Sequence, residues 1–288
     1  MSFLVSSSVK TLLPFELAMT DNEIVDATGH DGTWTHKPTN GGIDTLPILC
    51  SEVRRSIDAF LQKDFAEEIL QSVQLQCRNS LDIIREAIER YSLATLALSY
   101  NGGKDCLVLL LLYLSMLSES QHLPSSLPAI YISPAHPFAE VEIFVRSSAA
   151  HYRLSLSRHH SPKNNMKDAF ANYLSSPAGK SIKAVFVGTR RTDPHGENLS
   201  PFSMTDRGWP SFMRVHPVLE WKYVEIWAFL RYLGVDWCPL YDRGFTSLGG
   251  MQDTHPNPRL RYVDDHGKEL YKPAWVLTED EEERLGRD

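Results

Sequence analysis

A chain of 288 residues can form one large α/β domain or two small ones, and its 42% hydrophobic content is ordinary for a chain that folds around a core. A formal charge of −7 argues against a general nucleic-acid binder, which would show a basic face; it leaves room for a phosphate-rich substrate, because Mg²⁺ and a few placed Arg residues supply local positive charge. The longest apolar run, 106–117, is far below the roughly 20 residues that span a bilayer, so no membrane partner is expected.

Residues 1–46 read as a loosely ordered N-terminal arm. The stretch 29–42 is rich in Gly, Thr, Asn and Asp and has no apolar period. Lys10 and Glu16 interrupt the apolar start, which makes a poor signal peptide. Residues 47–288 read as a single domain. From 51 to about 90, Val53, Ile57, Phe60, Leu61, Phe65, Ile69 and Leu70 recur at spacings of three and four, a helical pattern that continues to Tyr91.

A short apolar run beginning at Thr95 then ends in Ser99-Tyr-Asn-Gly-Gly-Lys-Asp105, and a Leu-rich run comes directly after it. The first run fits a buried strand and the second a helix. Asn101-Gly102 is also a hairpin signal, but the Leu-rich run does not alternate as a strand would. A glycine pair between strand and helix lets backbone approach a ligand, and the first helical turn offers free N–H groups to an anion. The Walker A spacing is absent.

Further strands are expected at 129–133, 153–157 and 183–187, with helices at 139–152 and 166–174. Strands alternating with helices predict an α/β fold, a doubly wound and mostly parallel sheet with helices on both faces. Ligands bind beyond the carboxyl ends of such strands. Both glycine turns, at Gly102 and Gly188, lie there. A late helix is predicted over 221–233, ended by Gly234, and the chain from Tyr241 onward reads as a loop-rich tail. The acidic run 279–283 precedes Arg284 and Arg287. Cys50, Cys77, Cys106 and Cys238 have no C-x-x-C spacing and the 11 histidines no zinc pattern, so free thiols and the cytosol are expected.

Asn101-Gly-Gly-Lys-Asp-Cys106 resembles the PP-loop of ATP pyrophosphatases, with Cys106 where that pattern has Ser. The segments Gly188-Thr-Arg-Arg-Thr-Asp-Pro194, Thr205-Asp-Arg-Gly-Trp-Pro-Ser-Phe-Met-Arg214, His216 to Trp227 and Tyr241 to Gly249 together resemble eukaryotic FAD synthetase of the short fungal type, over roughly residues 55–288. That family shares its fold with phosphoadenylyl-sulfate reductases. The resemblance implies an FMN adenylyltransferase: ATP and FMN as substrates, FAD and pyrophosphate as products, and Mg²⁺ alongside ATP with no side-chain metal ligand assigned.

It also implies roles. Ser99, Gly102, Gly103, Lys104 and Gly188 would bind ATP and its pyrophosphate. Asn101, Asp105, Asp193, Arg284 and Arg287 would be catalytic. Arg190, Asp193, Trp209, Met213 and Arg214 would bind the flavin. For Lys104 the alternative is a solvent-facing side chain; for Asp193, a turn cap; for Arg284 and Arg287, a solvated tail. One of Arg190 and Arg191 is expected to be structural. The chain is expected to act as a monomer. The rivals are a reductase of the same fold, which needs a reactive cysteine near its C-terminus where the last one here is Cys238, and a non-catalytic FAD carrier.

Overall fold

The structure is a computed structural model that describes residues 45–160 and 165–288. Residues 1–44, nearly all of the expected N-terminal arm, lie outside the described residues. Leu46 already opens the first helix, α1 (Leu46–Gln62), with Pro47 in its first turn. Pro is tolerated there because the N–H it lacks would have no helical partner. The helical pattern beyond breaks once. Gln74 of α2 (Glu68–Arg90) donates from Nε2 to Phe60 O and Lys63 O at 2.8 and 2.7 Å. Those bonds satisfy carbonyls that the end of α1 leaves open.

The strands are β1 (Leu96–Ser99), β2 (Leu127–Ser133), β3 (Leu154–His160), β4 (Ala184–Phe186), β5 (Phe202–Met204) and β6 (Met213–Val215). They form one sheet in the order β3-β2-β1-β4-β6-β5. All neighbours are parallel except the edge pair β5–β6. The helices between and after them are α3 (Lys104–Leu117), α4 (Ala139–His151), α5 (Met166–Ser175) and α6 (Tyr223–Leu233). A small antiparallel pair, β7 (Arg261–Val263) and β8 (Glu269–Tyr271), lies in the tail.

Alternation along the central strands divides the core. Leu96, Leu98, Ala184 and Phe186 face a large cluster shared with α1, α2, α3, α4 and α6, whereas Ala97, Ile130 and Val185 face a smaller one with Phe170 and Tyr173 of α5. The fold is therefore doubly wound but lopsided. The crowded face explains α3: every residue of it except Asp105 is buried, and its sequence is correspondingly apolar all round. The sequence pattern predicts no strand at β5 or β6, since three residues give too short a period to register.

The chain runs from β1 outward through β2 and β3, then returns to lay β4 on the other side of β1. The order reverses between β1 and β4, which puts the ligand-binding crevice of such a sheet at their carboxyl ends.

One buried side chain beside β6 makes stability depend on pH. His216 is 1% exposed, and neither ring nitrogen has a hydrogen-bond partner among the described residues. Burial pushes its pKa down from 6.5 to about 4, with Arg214 and Arg191 adding to the shift. Between those two values the unfolded chain takes up a proton that the folded chain refuses. The contribution of His216 to stability is thus level above pH 6.5 and falls as pH drops toward 4, by about 3 kcal/mol. Urea unfolding at pH 7 and pH 4 is expected to show this loss reduced by about that amount in His216→Leu. An unchanged difference would locate the acid sensitivity elsewhere.

Candidate active site

The turn after β1 is built on glycine for two reasons. Gly102 has φ +72, and a Cβ there would stand 2.8 Å from Val145 Cγ2. Its neighbour Gly103 donates its N–H to Asn101 Oδ1 at 2.9 Å, and the Lys104 N–H goes to the Tyr241 hydroxyl at 2.9 Å. Ser99 closes β1 opposite Ile130 of β2. The turn after β4 lies against the same helix end: a Cβ on Gly188 would sit 3.0 Å from both Cys106 N and Cys106 Sγ. The two glycine turns therefore meet at one helix end, as their positions at the switch point require.

Beside them opens a cleft of about 310 Å³. Asn101 of the β1 turn, Ile132 and Ser133 at the end of β2, and Leu248, Gly249, Asp253 and Arg287 of the tail are among the residues that line it. Arg287 donates from Nη1 to Leu248 O at 3.0 Å and from Nε to Asp253 O at 3.2 Å. Its charge has only Asp253, at 3.5 Å, as a counter-ion among the described residues. Burial lowers its pKa, Asp253 offsets part of that, and the like charge of Arg284 adds to it. A guanidinium in that state gains from an anion, and its planar fork suits phosphate. Arg284 is half-buried one turn earlier, its carbonyl accepting from Arg287 N at 2.9 Å. Nothing in the sequence sets Gly249 or Asp253 apart from the loop around them.

Behind the glycine turns lies a buried ion cluster. Arg190, 0% exposed, has Nε 2.8 Å from Asp105 Oδ1 and Nη1 2.8 Å from Asp280 Oδ1, and it also pairs with Glu283. Lys104, 1% exposed, reaches Asp105 Oδ2 at 3.1 Å and Glu283 Oε1 at 2.5 Å. Burial opposes ionisation of Asp105, but Lys104 and Arg190 outweigh it and hold the carboxyl below its usual range. For Glu283 burial wins, and its pKa rises.

This geometry corrects two expectations. Lys104 is neither a phosphate contact nor a solvent-facing residue, because it is buried and its ammonium is engaged by the carboxylates of Asp105 and Glu283. Arg190 is not a flavin contact, because three carboxylates enclose it; it is the structural member of the Arg190–Arg191 pair in the sense of holding the core. Arg191 is the loop organiser, donating to Gly196, Glu197 and Leu199 carbonyls at 3.1, 2.9 and 2.8 Å. Two members of the acidic run, Asp280 and Glu283, turn inward to this cluster.

Asp193 accepts from the Arg190 N–H at 2.8 Å, which is the turn-capping arrangement. Three expected flavin contacts lie on the β5–β6 side, outside the residues that line the 310 Å³ cleft. Trp209 packs 6.4 Å from Phe170. Met213 and Arg214 are successive residues of β6, so they leave opposite faces of the sheet and cannot flank one ring together. Met213 packs on the large core, and Arg214 donates to Met204 O at 3.0 Å.

Residues 95–256 match the phosphoadenosine phosphosulfate reductase domain family. A probable FAD synthase of Schizosaccharomyces pombe is 41% identical over 241 residues, covering 82% of this chain and 88% of that protein. The chain belongs to the FAD synthase family. The solved structures of FMN adenylyltransferase from Candida glabrata agree with the family and the fold. The complex with FMN and the ATP analogue AMPCPP has a TM-score of 0.79 at 31% identity, covering 85% of this chain and 98% of that one. The complex with FAD and inorganic pyrophosphate has a TM-score of 0.79 at 32% identity, covering 86% and 99%.

Proposed function

We propose that the chain is an FMN adenylyltransferase that joins ATP and FMN into FAD and pyrophosphate. The observation that carries this reading is a cleft lined both by Asn101 of the β1 glycine turn and by the lightly compensated Arg287, in a chain of the FAD synthase family. An oxygen of the FMN phosphate attacks the α-phosphorus of ATP, the bond from that phosphorus to the bridging oxygen breaks, and pyrophosphate leaves. The attacking phosphate is already ionised, so no general base and no covalent intermediate are needed. Catalysis then rests on positioning and on neutralising charge.

In this reading Asn101, Gly102, Gly103 and Gly188 receive the pyrophosphate end of ATP. Arg284 and Arg287 meet the charge that develops around the α-phosphate. Asp105 orders Lys104 and Arg190 beneath the turn, and Asp193 shapes the β4 turn against the flavin phosphate. Trp209 and Arg214 mark the side from which the flavin ring approaches. Mg²⁺ fits as an ion carried by ATP phosphates: among the described residues no group of three His, Cys, Asp or Glu side chains is placed to hold a metal. The ion would neutralise phosphate charge. We place the protein in the cytosol as a monomer with one adenylyltransferase domain. Among the described residues no helix is long and apolar enough to cross a membrane.

A reductase of the same fold needs a reactive thiolate. All four cysteines are buried, and burial pushes Cys50 and Cys106 up to about 12 and Cys238 up to about 11. The deciding experiment supplies purified protein with ATP, Mg²⁺ and FMN, with riboflavin, sulfate or no acceptor as controls. Pyrophosphate release that depends on FMN, with FAD formed in equal amount, is the expected result. Release with another acceptor would keep the loop chemistry and discard FMN as substrate. FAD binding without any release would make the chain a carrier.

A further inference from the structure

Glu283 touches nothing in the cleft, yet three otherwise separate parts of the site meet on it. Its carboxylate, 4% exposed, bridges Lys104, the first residue of α3, and Arg190, in the turn after β4. Its carbonyl accepts from Thr246 Oγ1 at 2.6 Å, and the preceding Glu282 carbonyl accepts from Asn257 Nδ2 at 2.8 Å. From this anchor the chain runs on through Arg284, Leu285 and Gly286 to Arg287. Gly286 passes so close to His255 O that a Cβ would collide with it, and His255 donates its N–H to Gly286 O at 2.8 Å. Arg287 then lays its guanidinium against Gly249.

Charged side chains buried together are weak evidence for stability, because an apolar cluster of the same volume would serve as well or better. What the charges add is direction. Lys104 and Arg190 each face Glu283 from a different glycine turn, so the segment can seat in one register only. We infer that Glu283 is a positioning residue, which fixes the distance between the glycine turns and the Arg287 guanidinium without touching either substrate. The inference rests on the adenylyltransferase reading, in which that distance is the span from the pyrophosphate to the reacting phosphorus.

The test uses Glu283→Gln, which keeps the side chain's size and removes its charge. Turnover for FAD formation is expected to fall by about 100-fold, the cost of a misplaced reacting group, with KM for FMN within about threefold because no ground-state contact is lost. The decisive readout is the pair with Arg287→Ala. If Glu283 acts through Arg287, that substitution costs much less in the Glu283→Gln background than in the wild type. Additive losses in an active series would overturn the inference. Thr246→Val, which releases the same segment from its backbone side, is expected to lower turnover in the same pattern, and it serves if Glu283→Gln fails to fold.

Hydrogen exchange of the intact protein supplies a readout that needs no activity. Amides of Leu285, Arg287 and Asp288, which donate to Glu282, Arg284 and Asp253 carbonyls, are expected to exchange about tenfold faster in Glu283→Gln, with β1 amides unchanged. Unchanged exchange of the segment overturns the inference. A wild-type protein that makes no FAD counts against the adenylyltransferase reading instead, and leaves the exchange experiment to decide Glu283 alone.

Discussion

Replacing Arg190 with Met is expected to cost about 3–5 kcal/mol of folding stability, the range measured when one partner of a buried ion pair is removed. The side chain is 0% exposed and faces Asp105, Asp280 and Glu283. Burial works against its charge, but the carboxylates outweigh burial and its pKa rises. With the guanidinium gone, Lys104 alone would answer three carboxylates, and two of the three turn into the protein from a segment 90 and 93 residues away. Equilibrium urea unfolding should register the loss, and a thermal scan a fall of roughly 10 °C. Arg190→Lys should recover part of it, since it restores charge without the fork that reaches several carboxylates at once. Arg190→Met combined with Glu283→Gln should lose less than the two single changes summed, because each removes a partner of the other. A loss below about 1 kcal/mol in Arg190→Met would mean that the cluster behaves like a solvated surface network.

Such a cluster is not visible in the sequence. Lys104 and Glu283 are 179 residues apart, and each is surrounded by neighbours that suggest something else. Lys104 sits in a phosphate-loop motif, where a cation reads as a ligand contact. Glu283 ends an acidic run, where one more carboxylate reads as solvated. Only the fold, by bringing the tail back beneath the glycine turns, decides between burial and exposure for each. Local signals fare better. The strand-turn-helix at 95–117 needs no distant partner to be recognised, because the apolar period, the glycine pair and the Leu-rich run carry it. The β4 turn at Gly188 is legible in the same way, and the sheet order then places both at one crevice. Met213 and Arg214 show the opposite case. A stretch with Trp209, Phe212, Met213 and Arg214 looks like a ring-binding segment, but a three-residue strand within it sends alternate side chains to opposite faces. Phe212 joins the smaller core with Phe170, 5.0 Å away, and Met213 joins the larger one.

For Arg287 the sequence points to the residue but not to its seat. Arg287→Ala is expected to lower turnover about 100- to 1000-fold, the cost of removing one preorganised group that meets developing charge, with little change in the unfolding midpoint because the side chain holds mainly loop carbonyls. The sharper test is Gly249→Ala. A Cβ at Gly249 would fall within the Arg287 guanidinium. That group is the far end of a flexible side chain, so it would move aside while the backbone stays in place. Gly249→Ala should therefore leave the unfolding midpoint within a few degrees of the wild type and still lower turnover, by less than Arg287→Ala, and it should add little in an Arg287→Ala background. Full turnover in Gly249→Ala beside a large loss in Arg287→Ala would mean that the guanidinium swings to its working position from many seats. Full turnover in both would remove Arg287 from the reacting centre. The expected pattern, loss without destabilisation, comes from where the two groups meet: the glycine leaves room for a cation at the wall of the cleft, and a single methyl group takes that room away.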